Sequence, residues 1–176
     1  MKHKQLLSMT RTAVLAALVA IATMVIPIPI PGGGYANAGD IVILITAFVL
    51  GPVPAAFAAG FGSVVADLLL GYSAYAPGTL LVKGLAGLTA GALFVVMKKR
   101  TGLFLSSMIS GVAGELVMVA GYFGFETLAL QSAAAAAAGV VPNILQGIAG
   151  VLGALVMMPA MNRILPIGWK INSQQG

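Results

Sequence analysis

The sequence predicts an all-α membrane protein, a bundle of six transmembrane helices. Three observations carry that reading. Hydrophobic residues make up 60% of the 176 residues and charged residues only 7%, against about 25% charged in soluble domains. The apolar residues gather into runs separated by Gly, Pro and basic clusters. Those basic clusters all fall on one side of a six-span path, the side that should be cytoplasmic because Lys and Arg are enriched in cytoplasmic connections. Residues 1–176 therefore read as a single integral membrane domain with both termini in the cytoplasm.

A span needs about 20 apolar residues, fewer where the segment is bent. The first runs from about Ser8 to Val25 and stops at Ile26-Pro27-Ile28-Pro29-Ile30-Pro31. Lys2, Lys4 and Arg11 precede it, and Ala36-Asn37-Ala38 imitates a cleavage site, as in a secretory signal. The apolar run from Ala13 to Ile30 is longer than the usual signal core of about 7–15 residues, so the segment reads as a retained span. The second span covers about 39–52 and is short; Gly51-Pro52-Val53-Pro54 makes a tight cytoplasmic turn. The third covers about 54–71 and the fourth about 79–97, ending in Lys98-Lys99-Arg100. The fifth covers about 103–124 and the sixth about 140–162, followed by Arg163 and Lys170. Five or seven spans would put these basic ends on opposite sides.

Three connections then face outward: Pro31 to Asp40, Gly71 to Thr79, and Phe125 to about Gly139. The first two are rich in Gly and Tyr. Glycine lets backbone come close to a ligand, and tyrosine offers an apolar face with a polar tip. Tyr35, Tyr72 and Tyr75 fit either a binding pocket or an interfacial aromatic belt. The alanine run from Ala133 to Ala138 suits a helix or a packing surface. Small residues spaced for close helix contact occur at Ala13/Ala17, Ala16/Ala20, Gly60/Gly62, Gly84/Gly87 and Gly147/Gly150. Such contact is usually internal, but on span one it also suits a separate membrane partner.

Several functions are excluded. There is no cysteine, so neither disulfides nor thiolate metal sites can form. One histidine, His3 near the N-terminus, supports no metal cluster and no His-based catalysis. No Gly-x-x-x-x-Gly-Lys-Ser/Thr phosphate loop is present, so ATP hydrolysis of that kind must lie in other subunits. No nucleophile–base arrangement stands out. The reading is a non-enzyme without metal or cofactor, and the net charge of +5 reflects membrane topology rather than nucleic-acid binding.

The informative polar residues are few. All four acids, Asp40, Asp67, Glu115 and Glu126, fall toward the outer half of the bundle, with Lys83 the one cation embedded in an apolar run. Charges in spans cost about 2.5–3.5 kcal/mol each on insertion scales, so those retained should face the interior. Asp67 and Lys83 lie at similar depth on neighbouring antiparallel spans and predict a buried ion pair, structural first and ligand-binding second. Asp40 opens span two and suits a helix cap. Asn37 is the better ligand group there because a carboxamide both donates and accepts. Glu115, midway along span five, suits a ligand contact, a proton relay or a pair with Lys83. Asn143 and Gln146 share one helix face and suit either a polar ligand or interhelical bonding.

A series of short motifs resembles a known family. Gly34-Tyr35-Ala36-Asn37-Ala38-Gly39-Asp40, Leu50-Gly51-Pro52, Gly62-Ser63-Val64-Val65-Ala66-Asp67-Leu68-Leu69-Leu70-Gly71-Tyr72 and Tyr75-Ala76-Pro77-Gly78-Thr79-Leu80-Leu81-Val82-Lys83-Gly84 occur in that order. They resemble the substrate-binding S component of energy-coupling factor (ECF) vitamin transporters, most of all the hydroxymethylpyrimidine or pyridoxine branch, with pantothenate carriers close behind. The resemblance implies a membrane subunit that binds its vitamin from outside, and partners comprising a transmembrane T component and two cytoplasmic ATPases. It implies a pocket under the first and third outer connections, which nominates Tyr35, Asn37, Tyr75, Lys83, Glu115, Tyr122, Asn143 and Gln146. It implies a partner interface on the first helix at Ala13, Ala17 and Ala20. The competing classes are a small ion-coupled secondary transporter using Asp67 and Glu115, for which no inverted repeat is visible, and a structural scaffold.

Overall fold

A computed structural model describes residues 3–30 and 34–164. Lys2, Lys170 and the Pro31-Gly32-Gly33 part of the first connection lie outside the described residues. Six helices form: α1 (His3–Val25), α2 (Gly39–Leu50), α3 (Pro52–Leu70), α4 (Ala76–Thr101), α5 (Leu103–Ala129) and α6 (Ala133–Ile164). Two short strands, β1 (Ile28–Pro29) and β2 (Tyr35–Ala36), pair antiparallel in the first connection, with Ile28 opposite Ala36 and Pro29 opposite Tyr35.

The helices α1, α3 and α6 are each long and apolar enough to cross a membrane. So is the 54-residue apolar stretch holding α4 and α5, which breaks at Gly102 with a φ of 77°. The protein is a multi-pass membrane protein. α2 differs: its 12 residues reach about 18 Å at 1.5 Å per residue, short of a hydrocarbon core of about 30 Å. It is also mostly buried. The other helices pack in the order α1–α3–α4–α5–α6, and α2 stands inside this arc against α1, α3, α4 and α6. A one-residue turn at Gly51, φ 84°, separates α2 from α3, and Pro52 occupies the first turn of α3, where its missing N–H costs nothing.

Alternation of direction puts the start of α1, the Lys98-Lys99-Arg100 end of α4 and Arg163 at one end of the bundle. The core there is apolar: Leu44, Phe48, Ala55, Ala90, Phe94, Val151, Ala154 and Met158 pack together. Phe48 and Phe94 meet at 4.8 Å between ring centroids. Gly91 on α4 allows the Gly51 turn in; a methyl group there would come within 2.6 Å of Pro52 Cα.

The third connection departs from the sequence reading. In place of a segment running from Phe125 to Gly139, only Leu130, Gln131 and Ser132 separate α5 from α6. Ser132 Oγ accepts from Ala135 N–H at 3.2 Å and so caps α6. The alanine run that follows has the highest helix propensity of any residue type. Pro142 lies inside α6 without ending it, as is tolerated in membrane helices.

Candidate functional site

At the end opposite the basic residues, the helices part around a small enclosed cavity. Its lining comes from every helix but α2 (Thr23 of α1, Ser63 and Asp67 of α3, Thr79 and Lys83 of α4, Tyr122 and Glu126 of α5, Asn143 and Gln146 of α6) and from the connections, through Ile30, Gly34, Tyr35, Asn37 and Tyr75. The free space is about 20 Å³, roughly enough for one water. In a close-packed interior, a ring can therefore enter only if side chains shift.

The floor is an ion pair set in carboxamides. Lys83 Nζ reaches Asp40 Oδ1 at 2.5 Å, with both side chains buried. The other Asp40 oxygen accepts from Gln146 Nε2 at 2.5 Å. Gln146 Oε1 in turn accepts the Asn37 backbone N–H at 2.8 Å. Asn37 Oδ1 accepts the Gly39 N–H at 2.9 Å, satisfying a free donor at the start of α2. Lys83 Nζ also stands 5.7 Å from the Tyr122 ring centroid, within range of a cation–π attraction. The Tyr122 hydroxyl donates to Thr79 Oγ1 at 3.1 Å.

The roof is aromatic. Tyr35 and Tyr72 rings lie 4.6 Å apart, Tyr72 and Tyr75 6.5 Å, and Tyr75 and Phe125 5.7 Å. Gly34, with φ 70°, brings the first connection onto Tyr75; a methyl group there would lie 3.1 Å from Tyr75 Cε1. The Tyr35 hydroxyl donates to Asp67 Oδ1 at 2.7 Å. Burial, with that bond and the Asp67 charge behind it, raises the Tyr35 hydroxyl far above the usual phenol range. Burial and the neighbouring Glu126 carboxylate push Tyr75 up to about 12. Both hydroxyls thus remain protonated donors at any physiological pH.

Of the eight nominated ligand residues, Tyr35, Asn37, Tyr75, Lys83, Tyr122, Asn143 and Gln146 line this one cavity. Glu115 does not. It is buried behind Asp40 and against α6, beneath an apolar groove between α5 and α6 that faces outward from the bundle. A methyl group at Gly150 would stand 3.0 Å from Asp40 Cβ and 3.2 Å from Glu115 Oε1, so one glycine separates the two acids.

Three further expectations need correction. Lys83 bonds Asp40 rather than Asp67, because α2 stands inside the bundle and presents its acid to α4. Asp40 does not cap its own helix, its oxygens being committed to Lys83 and Gln146; Asn37 meets the Gly39 N–H instead. Ala20 is buried and turned inward, whereas Ala13 and Ala17 are exposed, so the outward stripe of α1 is shorter than expected. Sequence reasoning missed Thr23, Ser63, Thr79 and Glu126 as lining residues. A signal existed for three of them: Ser63, Thr79 and Glu126 each lie four residues from Asp67, Lys83 and Tyr122, on the same helix face.

A multi-pass helical bundle that closes aromatic and carboxamide groups over a small polar cavity is a membrane binding protein for a small solute. The sequence matches the family described as ECF-type riboflavin transporter, S component, over residues 4–163. It is 32% identical to the thiamine precursor transporter HmpT of Lactococcus lactis subsp. cremoris (strain MG1363) over 165 residues, 93% of this chain and 92% of that one. An uncharacterized protein of Pyrococcus woesei is 36% identical over 135 residues, 76% of this chain and 87% of that protein. The chain belongs to the S-component family of ECF-type transporters. It is accordingly a transporter's substrate-binding subunit, and the family is not one of enzymes.

Proposed function

We propose that this S component captures a single-ring, water-soluble vitamin or vitamin precursor, hydroxymethylpyrimidine or pyridoxine, at the outer face of the membrane. The observation that carries this reading is the cavity itself: small, enclosed and lined by paired carboxamides, a lysine and tyrosines. The name of the family points to riboflavin, and that of the Lactococcus relative to a thiamine precursor. A space of about 20 Å³ favours the smaller solute, since a three-ring flavin needs far more side-chain displacement than one pyrimidine or pyridine. Tyr35, Tyr75 and Tyr122 supply faces for the ring; Asn37, Asn143, Gln146 and Lys83 meet its hydroxyl and ring nitrogen. Equilibrium binding of hydroxymethylpyrimidine, pyridoxine, pantothenate and riboflavin to the purified chain tests this. Saturable binding of one of the first two supports it, and binding confined to riboflavin or pantothenate overturns it.

The same reading makes the protein one subunit of an ATP-driven importer with a T component and two ATPases, the termini and basic end cytoplasmic. Exposed Ala13 lines a groove between α1 and α3 that also holds Phe57 and Phe61, and exposed Ala17 lies one turn further along α1. Small residues let a partner helix approach closely. Cysteines placed singly at Ser73 and Lys99 check the orientation: an impermeant reagent should reach the first from outside and not the second.

A further inference from the structure

Hydroxyls on membrane helices usually bond back to a carbonyl one turn earlier. Thr46, Thr101, Ser106, Ser107, Ser110 and Thr127 all do so here, at 2.6–3.2 Å. Thr23 on α1 and Ser63 on α3 do not. Each is 2% exposed, each lines the cavity, and neither hydroxyl has a hydrogen-bond partner among the described residues. Asp67, one turn beyond Ser63 on α3, lines the same wall. Its Oδ1 accepts from Tyr35, while Oδ2 is buried with no bond closed to it; Thr79 stands close by, its oxygen accepting from Tyr122. Three buried side-chain atoms without a hydrogen bond thus share one wall of one cavity.

An unmet polar group in a dry interior costs about 1–3 kcal/mol, and it is costlier still for a carboxylate. The wall also carries a charge imbalance. Lys83 is committed to Asp40, and no salt bridge to Asp67 forms among the described residues. Gly39 keeps the Thr23 hydroxyl in place, since a methyl group at that position would collide with Thr23 Oγ1.

We propose that Thr23, Ser63 and Asp67 form a ligand-contact wall that takes a nitrogen-borne donor, an exocyclic amine or a protonated ring nitrogen. The inference rests on the function proposed above and adds a recognition surface on α1 and α3 that the nominated residues do not include. The substrate is held from two sides. The carboxamides and Lys83 read its acceptor and hydroxyl groups, and the α1–α3 wall reads its donor. Asp67 Oδ2 accepts from the nitrogen, while the two hydroxyls complete its shell. A solute of the same shape with a carbonyl in place of the amine would set oxygen against oxygen on this wall.

The test compares hydroxymethylpyrimidine, which carries a ring amine, with its analogue in which hydrogen replaces that amine. Binding is measured to wild type and to Asp67→Asn, Ser63→Ala and Thr23→Val. Wild type should prefer the amine by roughly 5- to 150-fold, the range for one buried hydrogen bond. Asp67→Asn should erase most of that preference, and Ser63→Ala and Thr23→Val should each reduce it. If Asp67→Asn fails to fold, the two hydroxyl variants decide, because they remove groups that bond nothing in the fold. Wild-type binding with equal affinity for both compounds, or a preference unchanged in the folded variants, overturns the wall and leaves the proposed function standing. If folded wild type binds neither pyrimidine the wall is overturned, and if it binds no pyridoxine either, the proposed function falls with it.

Discussion

The two ends of the bundle solve the same problem in opposite ways. At the basic end, α2, α3, α4 and α6 meet through Leu44, Phe48, Ala55, Phe94 and Met158, with no charge between them. At the other end three of the same helices, α2, α4 and α6, converge on Asp40, Lys83, Gln146 and Asn143, all buried. In a bilayer the apolar end gains little from leaving lipid, since lipid is as apolar as leucine, so close fit does the holding there. The polar end is held by directed bonds, each of which demands its partner. One end tolerates substitution by volume; the other depends above all on its charged pair.

The largest effect should come from breaking that directed network at its charged centre. Lys83→Met leaves Asp40 buried and unpaired, and the loss of one member of a buried pair costs about 3–5 kcal/mol. Thermal unfolding in detergent should show a large drop, and ligand binding should disappear with it. Asp40→Asn paired with Lys83→Met should recover much of the stability but not the binding; stability as low as that of the single variant would contradict the pairing.

Phe48→Ala, at the apolar end, should cost toward the low side of about 3–5 kcal/mol, because a cavity opens but the unfolded side chain remains in lipid. Once folded, this variant should bind ligand at wild-type strength. Weakened binding would show that the two ends are coupled through α2. Asn143→Ala reverses the pattern. It should leave unfolding nearly unchanged and weaken binding by about 5- to 150-fold, as for one neutral buried bond. If folded Asn37→Ala, Asn143→Ala and Gln146→Ala all bind normally, the ligand lies elsewhere.

The smallest effects separate the outer and inner stripes of α1. Ala17→Trp should leave stability and binding alone but reduce recovery of T component and ATPases on co-purification. Ala20→Trp, from a buried position, should instead destabilise the isolated chain by about 1–3 kcal/mol through overpacking. Equal effects of both on assembly, with no loss of stability, would refute the division.

The six helices, the Gly51 turn and the gathering of basic residues were legible because they depend on local chemistry: apolar run length, Gly-Pro, and charge. Tyr35, Asn37, Tyr75, Lys83, Asn143 and Gln146 were legible as candidates from residue type and placement; the resemblance gathered them into one pocket and added Tyr122. What stayed hidden depends on which helix stands beside which. Asp40 and Asp67 both reach the depth of Lys83, and no spacing rule says that α2 fills the centre and takes the lysine. The rotation of α1, which hides Ala20 while exposing Ala17, is set by contact with α3, where Gly62 admits Ala16 and Val19 closely. The long α5 and α6 were obscured because the alanine run, which suits a helix or a packing surface, does not say where a helix begins, and Ser132 as a cap is visible only once the helix is known to begin there.

The short, buried α2 has one more consequence, which concerns leakage. Asp40 sits in its first turn, and the ten residues beyond it, 41–50, about 15 Å of helix, run on as tightly fitted and mostly apolar side chains. A solute held at the Asp40–Lys83 floor therefore has a stopper in front of it rather than a tunnel. Relative to the protein, it must leave by the mouth through which it came. On the function proposed above, delivery to the opposite compartment would require the mouth to change sides, and a membrane containing this chain alone should stay sealed to the solute.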